Sequence, residues 1–178
     1  MINNIGRKIK DVTEFRELMG LPIYTGLPES EYELNIATIA EEFIELANAT
    51  TLIDKADALV DMAYTVIGMY VNDGSGVAPS RCMMPLKLIA KASESLGIDF
   101  DRCWDEVHRS NMSKACKGAK EVVLTQSAYA AKGVTTYVEE VNGLFIVKCL
   151  HDSNGIMRKG KALKSASYSE ADLSFVGE

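Results

Sequence analysis

Apolar and polar positions run along this chain with two different periods. From Glu31 to Ala49, residues Leu34, Ile36, Ile39, Ala40, Phe43, Ile44 and Ala47 recur at spacings of three and four, which predicts a helix. Thr50–Thr51 interrupts it. A second helix is predicted from Leu52 to Val71, closed by the turn-forming run NDGSG at 72–76. Between Ala58 and Val71 this segment reads ALVDMAYTVIGMYV, apolar on nearly every face, so it belongs in a core. Upstream, Thr13 is placed to cap a short helix over Glu14–Met19 that Gly20 ends, and Pro22 and Pro28 mark an irregular link. Downstream, Pro79 and Pro85 precede a helix over Met84–Leu96 that stops at Gly97. A further helix covers Arg102–Lys117, after the acidic Asp99–Asp101.

After about residue 132 the period shortens to two. Val134–Val141 and Leu144–Leu150 are rich in β-branched and aromatic residues, and Asn142–Gly143 between them is a favoured two-residue hairpin turn. Asp152–Gly155 is another turn signal, and Ile156–Lys159 is a candidate third short strand. The expected fold class is all-α: a four-to-five-helix antiparallel bundle with a small β-hairpin or meander insertion near the C-terminus. The expected organisation is a helical domain over 1–132, a β-rich insertion over 133–160, and a tail over 161–178 that returns to the helical domain.

Composition narrows the function classes. The 178 residues carry 19 Lys and Arg against 25 Asp and Glu, a net charge of −6. That argues against a sequence-blind nucleic-acid binder, whose affinity comes from cations neutralising phosphates. The longest uncharged stretch in this apolar region, Met62–Asn72, is far short of the ~20 residues that span a bilayer. The start, MINNIGRKIKDV, has no apolar signal-peptide core. Cys82, Cys103, Cys116 and Cys149 form no CxxC, and His108 and His151 are the only histidines, so neither a zinc site nor a disulfide scaffold is expected. Reduced thiols and a cytoplasmic protein follow as expectations.

The carboxylates carry the chemistry. Asp61 sits inside the apolar run, with Asp57 one turn before it. A buried, unpaired carboxylate costs several kcal/mol or takes up a proton, so a cation should meet these side chains. The preceding helix offers Glu41, Glu42 and Glu45 in AEEFIEL, three and four apart on neighbouring faces. Two adjacent antiparallel helices would join both sets into a cage of hard oxygen ligands, which suits magnesium or manganese. The same residues also fit a solvated helix face, or aspartates paired with lysines. A second cluster is basic: VHRSNMSK at 107–114 places Asn111 and Lys114 three apart, and GKALK adds Lys161 and Lys164. An amide with ammonium groups beside a metal cage makes a phosphate clamp, although each lysine alone also fits simple solvation.

The blocks EEFIEL, DALVDMAYTVIG, LGIDFDRCWDEVHRSNMSK and GKALKSASYSEADL, in that order, resemble the all-α, MazG-like nucleoside triphosphate pyrophosphohydrolases. The likeness is greatest to the subgroup of dimeric dUTPases and phosphoribosyl-ATP pyrophosphohydrolase. That family's pattern is EExxE followed by ExxD. Glu41, Glu42 and Glu45 match its first half; with Asp61 as the family Asp, Ala58 stands in place of the family Glu and Asp57 is one residue earlier. An alternative alignment uses Asp54 and Asp57. The stretches 71–95 and 118–158 are longer than the family pattern. The resemblance implies Mg2+ (or Mn2+) held by Glu42, Glu45, Asp57 and Asp61, with Glu41 acting on the attacking water. It further implies that Asn111, Lys114, Lys161 and Lys164 hold phosphates or sugar, and that Phe15 and Leu21 line a base pocket. The implied substrate is a nucleoside triphosphate, with uracil and guanine bases both open. The implied assembly is a homodimer or homotetramer, with neither nucleic acid nor membrane as partner. The rival expectations are a nucleotide-binding module without turnover, which Ala58 favours, and a bundle that docks a partner through 134–159.

Overall fold

In the computed structural model, residues 2–74 and 79–177 are described, without the side chains of 79–81. The described chain forms helices α1 (Ile5–Leu18), α2 (Glu29–Asn48), α3 (Leu52–Asp73), α4 (Pro79–Ser95), α5 (Phe100–Met112) and α6 (Ala119–Ala130), then strands β1 (Val134–Val141) and β2 (Leu144–Asp152). It is mostly helical with one small antiparallel hairpin. No helix among the described residues is long and apolar enough to cross a membrane. Ser75 and Gly76 of the expected NDGSG turn lie outside the described residues.

The chain divides into two compact units. The first comprises residues 1–16, 22–108 and 171–178; the second comprises 17–21 and 109–170. These limits differ from the composition change near 132, because α6 packs on β1 and β2 and belongs with them.

In the first unit α3 is the central element. Thr51 caps it through a reciprocal box: its hydroxyl accepts from the Asp54 N–H (3.1 Å) and the Asp54 carboxylate accepts from the Thr51 N–H (3.4 Å). Gly74 ends it in the left-handed region (φ 58°), and a Cβ there would lie 2.8 Å from Tyr24 Cα, so only glycine fits. Along α3, Ala56, Leu59, Val60, Ala63, Val66, Ile67 and Val71 are buried and join Val12, Trp104 and Val107 in one core. α2 and α4 each pack on α3. Gly68 makes room for the buried Arg16, whose Nε and Nη2 both donate to the Pro22 carbonyl (2.9 and 2.7 Å).

α1 begins nine residues before the expected Glu14. Thr13 is not a cap; its hydroxyl donates back to the Ile9 carbonyl (2.7 Å), an interior helical position. Ile5, Ile9 and Phe15 pack on the core, which holds the longer helix in place. α4 likewise starts at Pro79 rather than Met84, with Pro85 inside it at the cost of one helical hydrogen bond.

The second unit has its own core of Cys116, Val122, Val134, Val147, Cys149 and Leu163. The hairpin forms as expected, with Asn142 and Gly143 both at positive φ in the turn. Three expectations fail here. The last long helix stops at Met112 instead of Lys117, because Cys116 leaves it to bridge Phe145 (N–H to carbonyl, 2.8 and 2.9 Å). No helix is expected after Lys117, whereas residues 119–130 form α6, with Val122 and Thr125 turned inward at helical spacing. Ile156–Lys159 adds no strand. The Asp152 carboxylate accepts the N–H groups of Asn154, Ile156 and Met157 (2.9, 3.1 and 2.8 Å), and this curls the backbone into a loop. The outer edge of β2 is met instead by Ala162, opposite Lys148.

Candidate functional site

The five acids singled out by sequence lie in the first unit, on the two packed helices α2 and α3. Glu42 and Asp61 are half-buried; Glu41, Glu45 and Asp57 are exposed. Glu42 lies on the face of α2 turned toward α3, in a row with Asn35, Ile39 and Leu46. Its carboxyl is pushed up to about 8, first by burial and then by the negative charges of Asp61, Glu45, Asp57 and Glu41, in that order. The five acids therefore form one electrostatic cluster across both helices, centred on Glu42. Among the described residues, no three His, Cys, Asp or Glu side chains are drawn into a ready metal cage.

Asp54 is committed to the Thr51 capping box at the start of α3. Asp57 lies one turn further, and its charge acts on Glu42. Ala58 is buried at 3% exposure and points into the core.

One turn beyond Asp61, Tyr64 begins an aromatic group. Phe15 meets its ring edge-on (5.4 Å between centroids, 82°), and Trp104 stacks on it (5.1 Å, 27°). The Tyr64 hydroxyl shares a 2.9 Å hydrogen bond with Nδ1 of His108. Burial raises the Tyr64 hydroxyl well above its ordinary value, helped by the charges of Asp11, Asp61 and Glu14. Phe15 thus lies beside the acid-bearing helix. His108 is taken up by Tyr64 as a hydrogen-bonding partner.

Several polar groups had no signature in the sequence. Lys8, in the charged run RKIK, is wholly buried: it pairs with Asp101, donates to the Asn3 carbonyl (3.0 Å) and sits 5.5 Å from the Trp104 ring. Buried Asn72 joins the ends of α2 and α3: its amide donates to Glu31 (3.3 Å) and its carbonyl accepts from Thr25 (2.9 Å). Both follow from which face each residue happens to present, and residue type alone marks neither.

Asn111, Lys114, Lys161 and Lys164 belong to the second unit. Lys114 Nζ donates to the Asn111 side-chain carbonyl (2.6 Å), so these two form the expected pair one turn apart. Lys164 is exposed, 3.6 Å from Glu170 and 4.3 Å over the Tyr168 ring. Lys161 is exposed, and its backbone carbonyl accepts from the Cys149 N–H (2.9 Å). The serine-rich SASYS stretch ties the two expected basic blocks together. Ser165 donates to the Ser113 carbonyl (2.9 Å), Ser110 bonds the Tyr168 hydroxyl (3.0 Å), and the Ser113 hydroxyl accepts from the Ser169 N–H (3.0 Å).

Compared with models of known protein families, with curated proteins and with solved structures, the chain matches none.

Proposed function

We propose that this protein is a metal-dependent nucleoside triphosphate pyrophosphohydrolase of the MazG-like type. The observation that supports it is Glu42, half-buried at the centre of five acids on two packed helices, with its carboxyl raised to about 8. Such a concentration of negative charge is stabilised by a divalent cation, and an all-oxygen donor set suits Mg2+ or Mn2+. Glu42, Glu45, Asp57 and Asp61 would hold the metal. When bound, it supplies Lewis-acid activation of water and neutralises charge on the triphosphate.

The chain's own residues do the rest. Glu41 orients the attacking water and accepts its proton. Asn111, Lys114, Lys161 and Lys164 bind phosphate oxygens or sugar, and Phe15 contributes to a base-binding wall. The products are the nucleoside monophosphate and pyrophosphate, from a uracil or guanine nucleotide, and the role is control of the nucleotide pool. The active form is a homodimer or homotetramer in the cytoplasm.

A panel of NTPs and dNTPs with magnesium tests this. Pyrophosphate, and no orthophosphate, should accumulate for at least one base. Glu45→Gln and Asp61→Asn should each lower the rate by about 10²-fold or more, with the helical circular dichroism retained. Full activity in both variants rejects the reading. Nucleotide binding that needs metal but yields no pyrophosphate supports the second reading, a binding module without turnover, which the buried Ala58 at the family glutamate position favours.

A further inference from the structure

The two units carry opposite charge. The first holds 9 Lys and Arg against 19 Asp and Glu, the second 10 against 6, so −10 and +4 lie behind the whole-chain −6. At physiological salt an exposed charge acts over only about 8 Å, so a ligand responds to the unit it touches and not to the average. Within the second unit, three of the six acids are already engaged. Glu139 pairs with Lys148 (2.5 Å), and Asp152 accepts three backbone N–H groups. Glu121 accepts the N–H groups of Lys117 (2.8 Å) and Ser167 (3.3 Å). Eight of the ten cations are exposed.

These cations are interleaved with aromatic rings. Just past α6, the Lys132 ammonium lies 5.2 Å from the centre of the Tyr129 ring. The Tyr129 hydroxyl accepts the N–H of Lys164 (3.2 Å), and the Lys164 ammonium lies 4.3 Å over the Tyr168 ring. Lys132, Tyr129, Lys164 and Tyr168 therefore form a continuous row. Arg158 and Lys161 precede Lys164 on a segment that runs along the outer edge of β2. There the Gly160 N–H donates to the Cys149 carbonyl (2.8 Å) and the Leu163 N–H to the Val147 carbonyl (2.9 Å). Both tyrosines are half-buried and held: Tyr129 packs on the core of its unit, and Ser110 donates to the Tyr168 hydroxyl (3.0 Å). The rings are fixed, whereas the lysine stems over them are free to swing away.

We propose that this row binds single-stranded nucleic acid without sequence preference. Lys132, Lys164, Lys161 and Arg158 neutralise phosphates, and bases stack on Tyr129 and Tyr168 as the ammonium groups leave the rings for the backbone. Every base has a π-face and every nucleotide a phosphate, so alternating rings and cations match a single strand of any sequence. An anionic membrane would use the cations and leave the rings idle, and a duplex keeps its bases stacked inside. The inference goes beyond the pyrophosphohydrolase reading and does not depend on turnover. Lys161 and Lys164 meet phosphate in both, as a triphosphate there and as a phosphodiester chain here.

Fluorescence anisotropy of the full chain with a labelled oligothymidylate of about 20 nucleotides tests it, in the absence of magnesium. Affinity should fall with salt at a log–log slope of about −3, on the order of 0.7 for each of four phosphate contacts. Lys132→Ala and Arg158→Ala should each weaken binding and reduce that slope by about 0.7. Glu170→Gln, which removes an acid 3.6 Å from Lys164, should tighten it. Tyr168→Leu should weaken binding about 10-fold at unchanged slope, and Tyr168→Phe, which keeps the ring, should bind as the wild type does. A duplex of the same length, and vesicles of phosphatidylserine and phosphatidylcholine, should bind less tightly. Lys132 and Arg158 lie outside the residues assigned to the triphosphate, so their variants should keep full pyrophosphate release. A wild type that releases no pyrophosphate yet binds the oligothymidylate rejects the enzyme and supports the present proposal. No binding at about 50 mM salt, equal or tighter binding of the duplex or the vesicles, or a Tyr168→Leu variant that binds like the wild type overturns it.

Discussion

α2 and α3 are neighbours of almost equal length, and they use their apolar residues in opposite ways. Twelve of the 22 residues of α3 are buried, whereas none of the 20 residues of α2 is. Both carry acids of the candidate site. α3 holds Asp57 and Asp61 on a helix fixed by the core, and α2 presents Glu42 to it from a helix held on one side only. A rigid helix positions ligands, and a more open one can adjust to charge, so the pair differs in what substitution should do.

The sharpest contrast is between apolar truncations. Leu59→Ala, at 1% exposure on α3, should lower the unfolding free energy by about 2–5 kcal/mol, since it leaves a cavity in the core. Ile44→Ala on α2, at 59% exposure, should change the stability of the single chain by less than about 0.5 kcal/mol. Denaturant titration at low protein concentration measures both, and equal losses would break the comparison. Next in size is Asn72→Ala. It strips Glu31 and Thr25 of a buried partner at the junction of the two helices and should cost about 1–3 kcal/mol in the same titration. Thr51→Ala removes the hydroxyl that caps α3 and should cost about 1 kcal/mol, read as a lower melting temperature.

The smallest effect is expected at Glu42, where solvent screens a half-exposed group. The fold raises its carboxyl, so the protonated form is the one the fold favours. Its contribution is full below the ordinary carboxylate value of 4.5 and is lost as pH rises through about 8. Without metal, the melting temperature of Glu42→Gln should gain on wild type across that window. Magnesium should raise the wild-type melting temperature at the upper end, and raise that of Glu42→Gln less. Parallel pH curves for the two proteins, with and without magnesium, would separate Glu42 from the cluster.

The local periods determined most of the elements. The α2 and α3 patterns, the Thr50–Thr51 break and the Asn142–Gly143 turn each act over a few residues, so the helices and the hairpin were legible in sequence order. So was the list of acids, because charged side chains in or beside apolar runs stand out wherever the helices end up. Contacts distant in sequence decided the remainder. Cys116 leaves its helix to bridge Phe145, Asp152 gathers three N–H groups and prevents a third strand, and α6 forms from a β-branched segment by packing on β1 and β2. What the two aspartates meet also differs: Asp54 is occupied at the helix cap, whereas the charge of Asp57 acts on Glu42 across the pairing of α2 with α3. A period says which residues share a face. What that face meets depends on the free energy of packing the whole chain, and this set Ile39 and Leu46 of α2 against the core with Glu42 between them, while Phe43 and Ile44 stay exposed.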